Sequence, residues 1–209
     1  MRLVLATSNA GKVAEFRDAL ARLDAEVVSA KEMGVEDFPE ETGSSYEENA
    51  RVKAVHVAQH TRALALGDDS GLEVDALGGA PGLLSARFGG HSSAEARTAH
   101  LLEKLRDVPR EERRARFVCC LVLAWPEGNA RAFEGVCEGE VLRESTGIGG
   151  FGYDPIFYSY DLQKGFAEAS REEKQRVSHR GRALHALLEW TRANKVFSAA
   201  GGQLSKFPE

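Results

Sequence analysis

Cysteine, methionine and tryptophan are scarce in this chain of 209 residues, with three, two and two copies. Cys119 and Cys120 are adjacent inside an apolar run and Cys137 stands apart, which matches neither a disulfide framework nor a zinc-ligand spacing. All three are expected as buried free thiols. No stretch of 18 apolar residues occurs, so no membrane-spanning helix is expected. Positive charge is not in surplus either: 27 Lys and Arg against 32 Asp and Glu leave a formal charge of −5, with no net pull toward nucleic acid or an anionic membrane. An anionic partner must therefore be held by local basic groups, and a small, multiply charged ligand chelated through a metal fits that constraint. Residues 1–6 enter an apolar strand without the charged, apolar and small-residue succession of a secretory leader, so a cytoplasmic protein is expected. Six Pro and 21 Gly are scattered, and 43% hydrophobic with 28% charged residues is ordinary globular composition, which excludes collagen-like and disordered chains.

What is present alternates strand and helix. Residues 3–6 are a short apolar run of the kind buried on both faces of a parallel or mixed sheet. A polar loop, residues 7–12, separates it from Val13, Phe16, Leu20 and Leu23, which recur at helical spacing. Residues 25–29 read as a second strand, 38–45 as an acidic loop, 46–61 as a helix with Ala50, Ala54, Val57 and Ala58 on one face, and 64–66 as a third strand running into a Gly-Asp-Asp-Ser-Gly loop. Ser92 and Glu95 form a capping-box pattern opening a helix to about Leu105. A polar stretch follows, then a nine-residue apolar strand, 117–125, a turn at 127–129 and a hairpin partner over 130–136. Four glycines within residues 147–153 forbid a helix there, and a last helix spans 178–194. The pattern predicts an α/β fold with a mixed, partly parallel central sheet, flanking helices and two lobes around a substrate cleft. One two-lobed domain is expected over residues 1–195, with a flexible tail over 196–209.

Three groups of residues have the chemistry to act. Asn9, Gly11 and Lys12 lie between a buried strand and a helix start, where unpaired N–H groups and the helix dipole favour an anion. The spacing is not that of a Walker A loop, since Ala6 and Val13 stand where Gly and Ser or Thr are required. A lysine in such a loop is expected to matter little for stability. Asp68 and Asp69 follow a strand end and repel each other unless a cation intervenes; Glu41 adds a third carboxylate, and hard oxygen ligands suit Mg²⁺ or Mn²⁺. At the far end, Lys174, Ser178, His179 and Arg180 form a polar set near the last helix. Phe151 or Tyr153, in a glycine-rich loop, offers a ring to stack on a flat base, with Arg180 as donor to a ring carbonyl.

In order along the chain, Thr7-Ser8-Asn9-Ala10-Gly11-Lys12, Glu41-Thr42-Gly43, Glu48-Asn49-Ala50 with Lys53, Asp68-Asp69-Ser70-Gly71-Leu72, Gly78-Gly79-Ala80-Pro81-Gly82 with Ser85-Ala86-Arg87, Gly150-Phe151-Gly152-Tyr153-Asp154-Pro155 and Ser178-His179-Arg180-Gly181 resemble the motifs of the inosine triphosphate pyrophosphatase family, the RdgB-like house-cleaning nucleotide hydrolases. The resemblance covers residues 3 to about 190. It implies a pyrophosphatase that converts the non-standard purine triphosphates ITP, dITP and XTP to monophosphate and pyrophosphate. It also implies that Lys12 and Lys53 hold the phosphates, that Thr7, Ser8, Asn9, Ala10 and Gly11 belong with them to the substrate-binding site, that Glu41 and Asp69 bind Mg²⁺, with Mn²⁺ able to substitute, and that Asp69 is the general base. Ser70 would contact substrate, and Phe151, Gly152, Tyr153, Asp154, Lys174, His179 and Arg180 would form the base site. A homodimer is implied as well, beside the cytoplasmic location and the lack of a nucleic-acid or membrane partner expected from composition and charge. Two other readings stay open: a Maf-like pyrophosphatase of pyrimidine or methylated nucleotides, and a nucleotide-binding module without catalysis.

Overall fold

The computed structural model describes residues 1–21, 23–197 and 207–208. Its elements in chain order are β1 (Arg2–Ala6), α1 (Ala10–Leu20), β2 (Glu26–Ser29), α2 (Tyr46–Thr61), β3 (Leu64–Val74), α3 (Ala94–Lys104), β4 (Arg114–Ala124), β5 (Ala130–Val141), β6 (Phe157–Ser159), β7 (Lys164–Gly165), α4 (Arg171–Val177) and α5 (His179–Ala193). The strands form one seven-stranded sheet in the order β2-β1-β3-β4-β5-β6-β7. β1 pairs parallel with β2 and with β3, while β6 pairs antiparallel with β5 and β7, so the sheet is mixed, as the alternation of elements predicts. Because β1 lies between β2 and β3, the chain leaves it toward one side and returns on the other. Such a switch point is where α/β sheets place ligands, beyond the carboxyl ends of the strands.

The chain divides into two compact units, residues 1–69, 120–134 and 183–209 in the first, residues 70–119 and 135–182 in the second. In the first, the small-residue face of α2, Ala50, Ala54, Val57 and Ala58, packs with Val4, Ala6, Ala65, Val122 and Ala124. Small side chains let helix and sheet come close, and Gly67 marks the limit: a Cβ there would run into the carbonyl oxygen of Ala50. The second unit has its own core, built around Leu72, Leu101, Leu105, Phe117, Phe157 and Phe166. There Arg113 is buried and donates to the carbonyls of Leu105, Val108 and Leu142, tying the end of α3 to the chain beyond β5. The three cysteines are buried thiols, and burial pushes Cys120 up to about 12 and Cys137 up to about 11.

Several boundaries differ from the sequence expectation for identifiable reasons. α1 starts at Ala10 rather than near Val13, because the Asn9 side chain accepts from the Lys12 N–H and caps the helix. The cap of α3 is Ser93, which accepts from the Ala96 N–H, and not Ser92. β3 does not end at Leu66: Gly67 pairs with Ala6, and the segment read as a loop continues as strand to Val74. β4 begins in the polar stretch at Arg114, and β5 runs to Val141. The short β6, β7 and α4 had no counterpart in the sequence reading; α4 is opened by a Ser170–Glu173 capping box. In the segment expected as a tail, Val196 and Phe197 are buried and the Phe207 ring lies edge-on to Trp125 at 5.1 Å. The rest of that segment, 198–206 and 209, lies outside the described residues.

Candidate functional site

β1 and β3 run parallel and in register to Ala6 and Gly67, but β3 continues where β1 stops. The residues just past that point, residues 7–12 from one strand and Asp68 and Asp69 from the other, therefore meet. Thr7 Oγ1 accepts from the Asn9 N–H at 3.2 Å and Asn9 Oδ1 from the Lys12 N–H at 3.2 Å, so the turn into α1 is held by its own side chains. Ala10, Gly11 and Lys12 are the first turn of α1, where backbone N–H groups and the helix dipole favour an anion. Lys12 Nζ lies 2.6 Å from Asp68 Oδ2, with the lysine side chain 16% exposed and the aspartate 1%.

α2 supplies the opposite wall. Its N-terminus is capped by Ser45, and Asn49 and Lys53, four residues apart, share a face. Lys53 Nζ pairs with Glu41 and donates to the Asp68 carbonyl at 2.8 Å. Asn49 Nδ2 donates to Asp69 Oδ2 at 3.0 Å. Burial pushes the Asp69 carboxyl above its usual range; Lys53 and the Asn49 hydrogen bond pull it down, the Glu41 carboxylate pushes it up, and Lys12 opposes. Three carboxylates and two ammonium groups thus converge, with burial on Asp69 not fully offset. Among the described residues no three His, Cys, Asp or Glu side chains form an all-protein metal cage. Glu41 and Asp69 instead fit a hard divalent ion held by one or two carboxylates together with substrate phosphates.

The second unit carries a different group. The Phe151 N–H donates to Asp154 Oδ2 at 2.7 Å, and Lys174 Nζ pairs with the same oxygen at 2.5 Å. The Phe151 ring is 39% exposed, with the Lys174 ammonium 5.0 Å and the Arg180 guanidinium 5.9 Å from its centre. Arg180 Nη2 also donates to Ser70 Oγ at 3.1 Å, and Ser70 directly follows Asp69 on β3. The structure separates the two aromatic candidates. Tyr153 is 5% exposed, sits in the core of this unit and donates its hydroxyl to the Ser85 carbonyl at 3.0 Å, leaving Phe151 as the exposed aromatic residue of the two. The Thr98 hydroxyl reaches the Gly152 carbonyl at 3.4 Å. His179 is buried and stacks on Phe117, ring centres 4.7 Å apart and planes within 12°.

Sequence reasoning gave Ser85 and Asn49 no role and read Asp68 only as one of the carboxylates that a cation would relieve. Asp68 is the ion-pair partner of Lys12. Ser85 accepts from the Leu72 N–H and donates to the Gly82 carbonyl, which fixes the backbone carbonyl that holds Tyr153. Asn49 bridges to Asp69, and its signal was present: a polar residue one helical turn before Lys53, on an otherwise alanine-rich buried face.

The Ham1 family model matches residues 3–190. A dITP/XTP pyrophosphatase of Thermus thermophilus is 51% identical over 189 residues, 90% of this chain and 91% of that one. One of Desulforamulus reducens is 48% identical over 190 residues, 90% of this chain and 94% of that one. Among solved structures, a HAM1 protein from Coxiella burnetii superposes with a TM-score of 0.84 at 40% identity, covering 92% of this chain and 99% of that one.

Proposed function

Because the chain belongs to the Ham1 family, we propose that it hydrolyses non-standard purine nucleoside triphosphates, ITP, dITP and XTP, to the monophosphate and pyrophosphate. The observation that carries this reading is the meeting of Lys12, Lys53, Glu41, Asp68 and Asp69 beside the first turn of α1. A triphosphate needs cations and N–H donors along its length, and its hydrolysis needs a base within reach of water.

In this reading Lys12, Lys53 and the N–H groups of the first turn of α1 bind phosphate oxygens and stabilise the departing pyrophosphate. Both lysines already face carboxylates, so an arriving polyphosphate exchanges one set of anionic oxygens for another rather than meeting bare cations. Glu41 and Asp69 would hold Mg²⁺, which would supply charge neutralisation at the phosphates and activation of water. Asp69 takes the proton from the attacking water as general base. Phe151 stacks on the base, and Arg180, with one nitrogen on Ser70, donates to the C6 carbonyl of hypoxanthine or xanthine. Adenine has an amino group at that position and would set donor against donor. The enzyme is taken to be a cytoplasmic homodimer acting on free nucleotides, with neither nucleic acid nor membrane as partner.

The test is incubation with dITP and Mg²⁺, products resolved by ion-exchange chromatography, with a parallel sample in EDTA. Equal amounts of dIMP and pyrophosphate, lost in EDTA, are expected. Orthophosphate as the product would contradict the bond assigned. Binding of dITP without turnover would make the protein a nucleotide-binding module.

A further inference from the structure

Asn49, in the first turn of α2, is 3% exposed on the helix face that otherwise presents Ala50, Ala54 and Val57 to the core. A buried amide in such a place is unfavourable unless both its ends are bonded. Both are, and to different things: Oδ1 accepts from the Gly43 N–H at 2.8 Å, and Nδ2 donates to Asp69 Oδ2 at 3.0 Å. The amide cannot be turned over, because its NH₂ would then face an N–H and its carbonyl oxygen a carboxylate.

Gly43 lies two residues beyond Glu41 in the same loop. The loop approaches Asn49 so closely that a Cβ on Gly43 would come within 2.7 Å of Asn49 Oδ1 and 2.8 Å of Glu48 Cβ. Glu48 fastens the loop a second time, accepting from the N–H and hydroxyl of Ser44 at 2.6 and 2.9 Å. One rigid helix turn therefore holds the loop of Glu41 with one end of an amide and the Asp69 carboxylate with the other.

We propose that Asn49 is the positioning residue of this site, fixing the rotation of the Asp69 carboxylate and its separation from the Glu41 loop so that both face the same ion. This rests on the pyrophosphatase reading and deepens it. Asn49 acts through Asp69 and Gly43, to which the two ends of its amide are bonded.

Two substitutions separate the ends of the amide. Asn49→Asp keeps an acceptor for the Gly43 N–H and loses the donor to Asp69, whereas Asn49→Ala loses both. Each should lower kcat for dITP by roughly 10- to 100-fold, the usual scale for residues that orient a metal ligand, with KM nearly unchanged. Mn²⁺ affinity of nucleotide-free Asn49→Ala, read from the free-ion electron paramagnetic resonance signal, should fall by a similar factor. Gly43→Ala, which leaves Asn49 in place but crowds its carbonyl, should show the same kcat loss and serves as the deciding variant if a buried substitution at 49 does not fold. Wild-type kcat in Asn49→Asp or in folded Gly43→Ala, a loss confined to KM, or unchanged Mn²⁺ affinity in Asn49→Ala would overturn the assignment. An inactive wild-type protein in the same assay would instead overturn the pyrophosphatase reading, so the two failures are distinguishable.

Discussion

At the scale of single residues, function and stability pull against each other most clearly at Asp69. Burial raises its pKa above the ordinary 3.8. Below that ordinary value the carboxyl is protonated in both the folded and the unfolded chain and contributes nothing to the pH dependence. As pH rises past it, the unfolded chain ionises first, so the folded state loses stability until its own raised pKa is passed, and the deficit then stays constant. Asp69→Asn removes this term. Without metal it should melt at or above the wild-type temperature at neutral pH, with the gap closing as pH falls toward 3.8, while kcat drops by the order of 10² or more expected for loss of a general base. A variant that melts lower at neutral pH would contradict the burial cost, and one that keeps more than about a third of kcat would remove Asp69 from the mechanism. Lys12 illustrates the opposite coupling. As a loop lysine it was expected to matter little for stability, but its partner Asp68 is fully buried. Lys12→Ala should raise KM for the triphosphate and reduce kcat/KM by about 30-fold, equivalent to about 2 kcal/mol. It should also lower the melting temperature by about 5–10 °C, because a buried carboxylate loses its counter-charge. Changed kinetics with an unchanged melting temperature would show that Asp68 tolerates the loss. The lysines and paired aspartates were legible in the sequence because charge at strand ends is conspicuous. Asn49 was legible only as a polar residue one helical turn before Lys53 on an alanine-rich face; an amide carries no charge to announce what it binds.

At the scale of elements, β3 holds the main disagreement between sequence and structure. Residues 67–71 have the composition of a turn, yet pairing of Leu64 to Gly67 with β1 extends the strand, and Asp68 and Asp69 project from strand rather than loop. Tertiary pairing overrode local propensity there. α2, by contrast, runs from Tyr46 to Thr61, the limits its alanine-rich face predicts, since a 3.6-residue period over 16 residues is a strong signal. These two elements meet at Gly67. Gly67→Ala should force α2 away from β3 and cost roughly 1–3 kcal/mol, the usual range for overpacking, which is a melting shift of about 3–10 °C. Activity per folded molecule should fall as well, because Asn49 and Lys53 ride on the displaced helix. Unchanged melting and activity in Gly67→Ala would show that the helix has room to spare. The short β6, β7 and α4 were invisible because three, two and seven residues give periodicity too little length to register.

At the scale of the whole molecule, composition and alternation of elements predicted the fold class, and the mixed seven-stranded sheet bears that out. Strand order was beyond the sequence: nothing in residues 2–6 says that they will lie between β2 and β3, yet that position creates the switch point at which the lysines and carboxylates gather. Each unit has a separate core and contributes a separate group, carboxylates and lysines in one, Phe151 with Lys174 and Arg180 in the other. Hydrolysis of the triphosphate is assigned to the first group and choice of the base to the second. The most direct measurement is kcat/KM for dITP and for dATP in the same pyrophosphate-release assay with Mg²⁺, since the two substrates differ only at C6 and its neighbouring ring protonation. A preference for dITP of about 10⁴ is predicted, the scale on which a site built to hydrogen-bond one group rejects an analogue lacking it. Equal kcat/KM for the two nucleotides, or no pyrophosphate from dITP, would contradict the account.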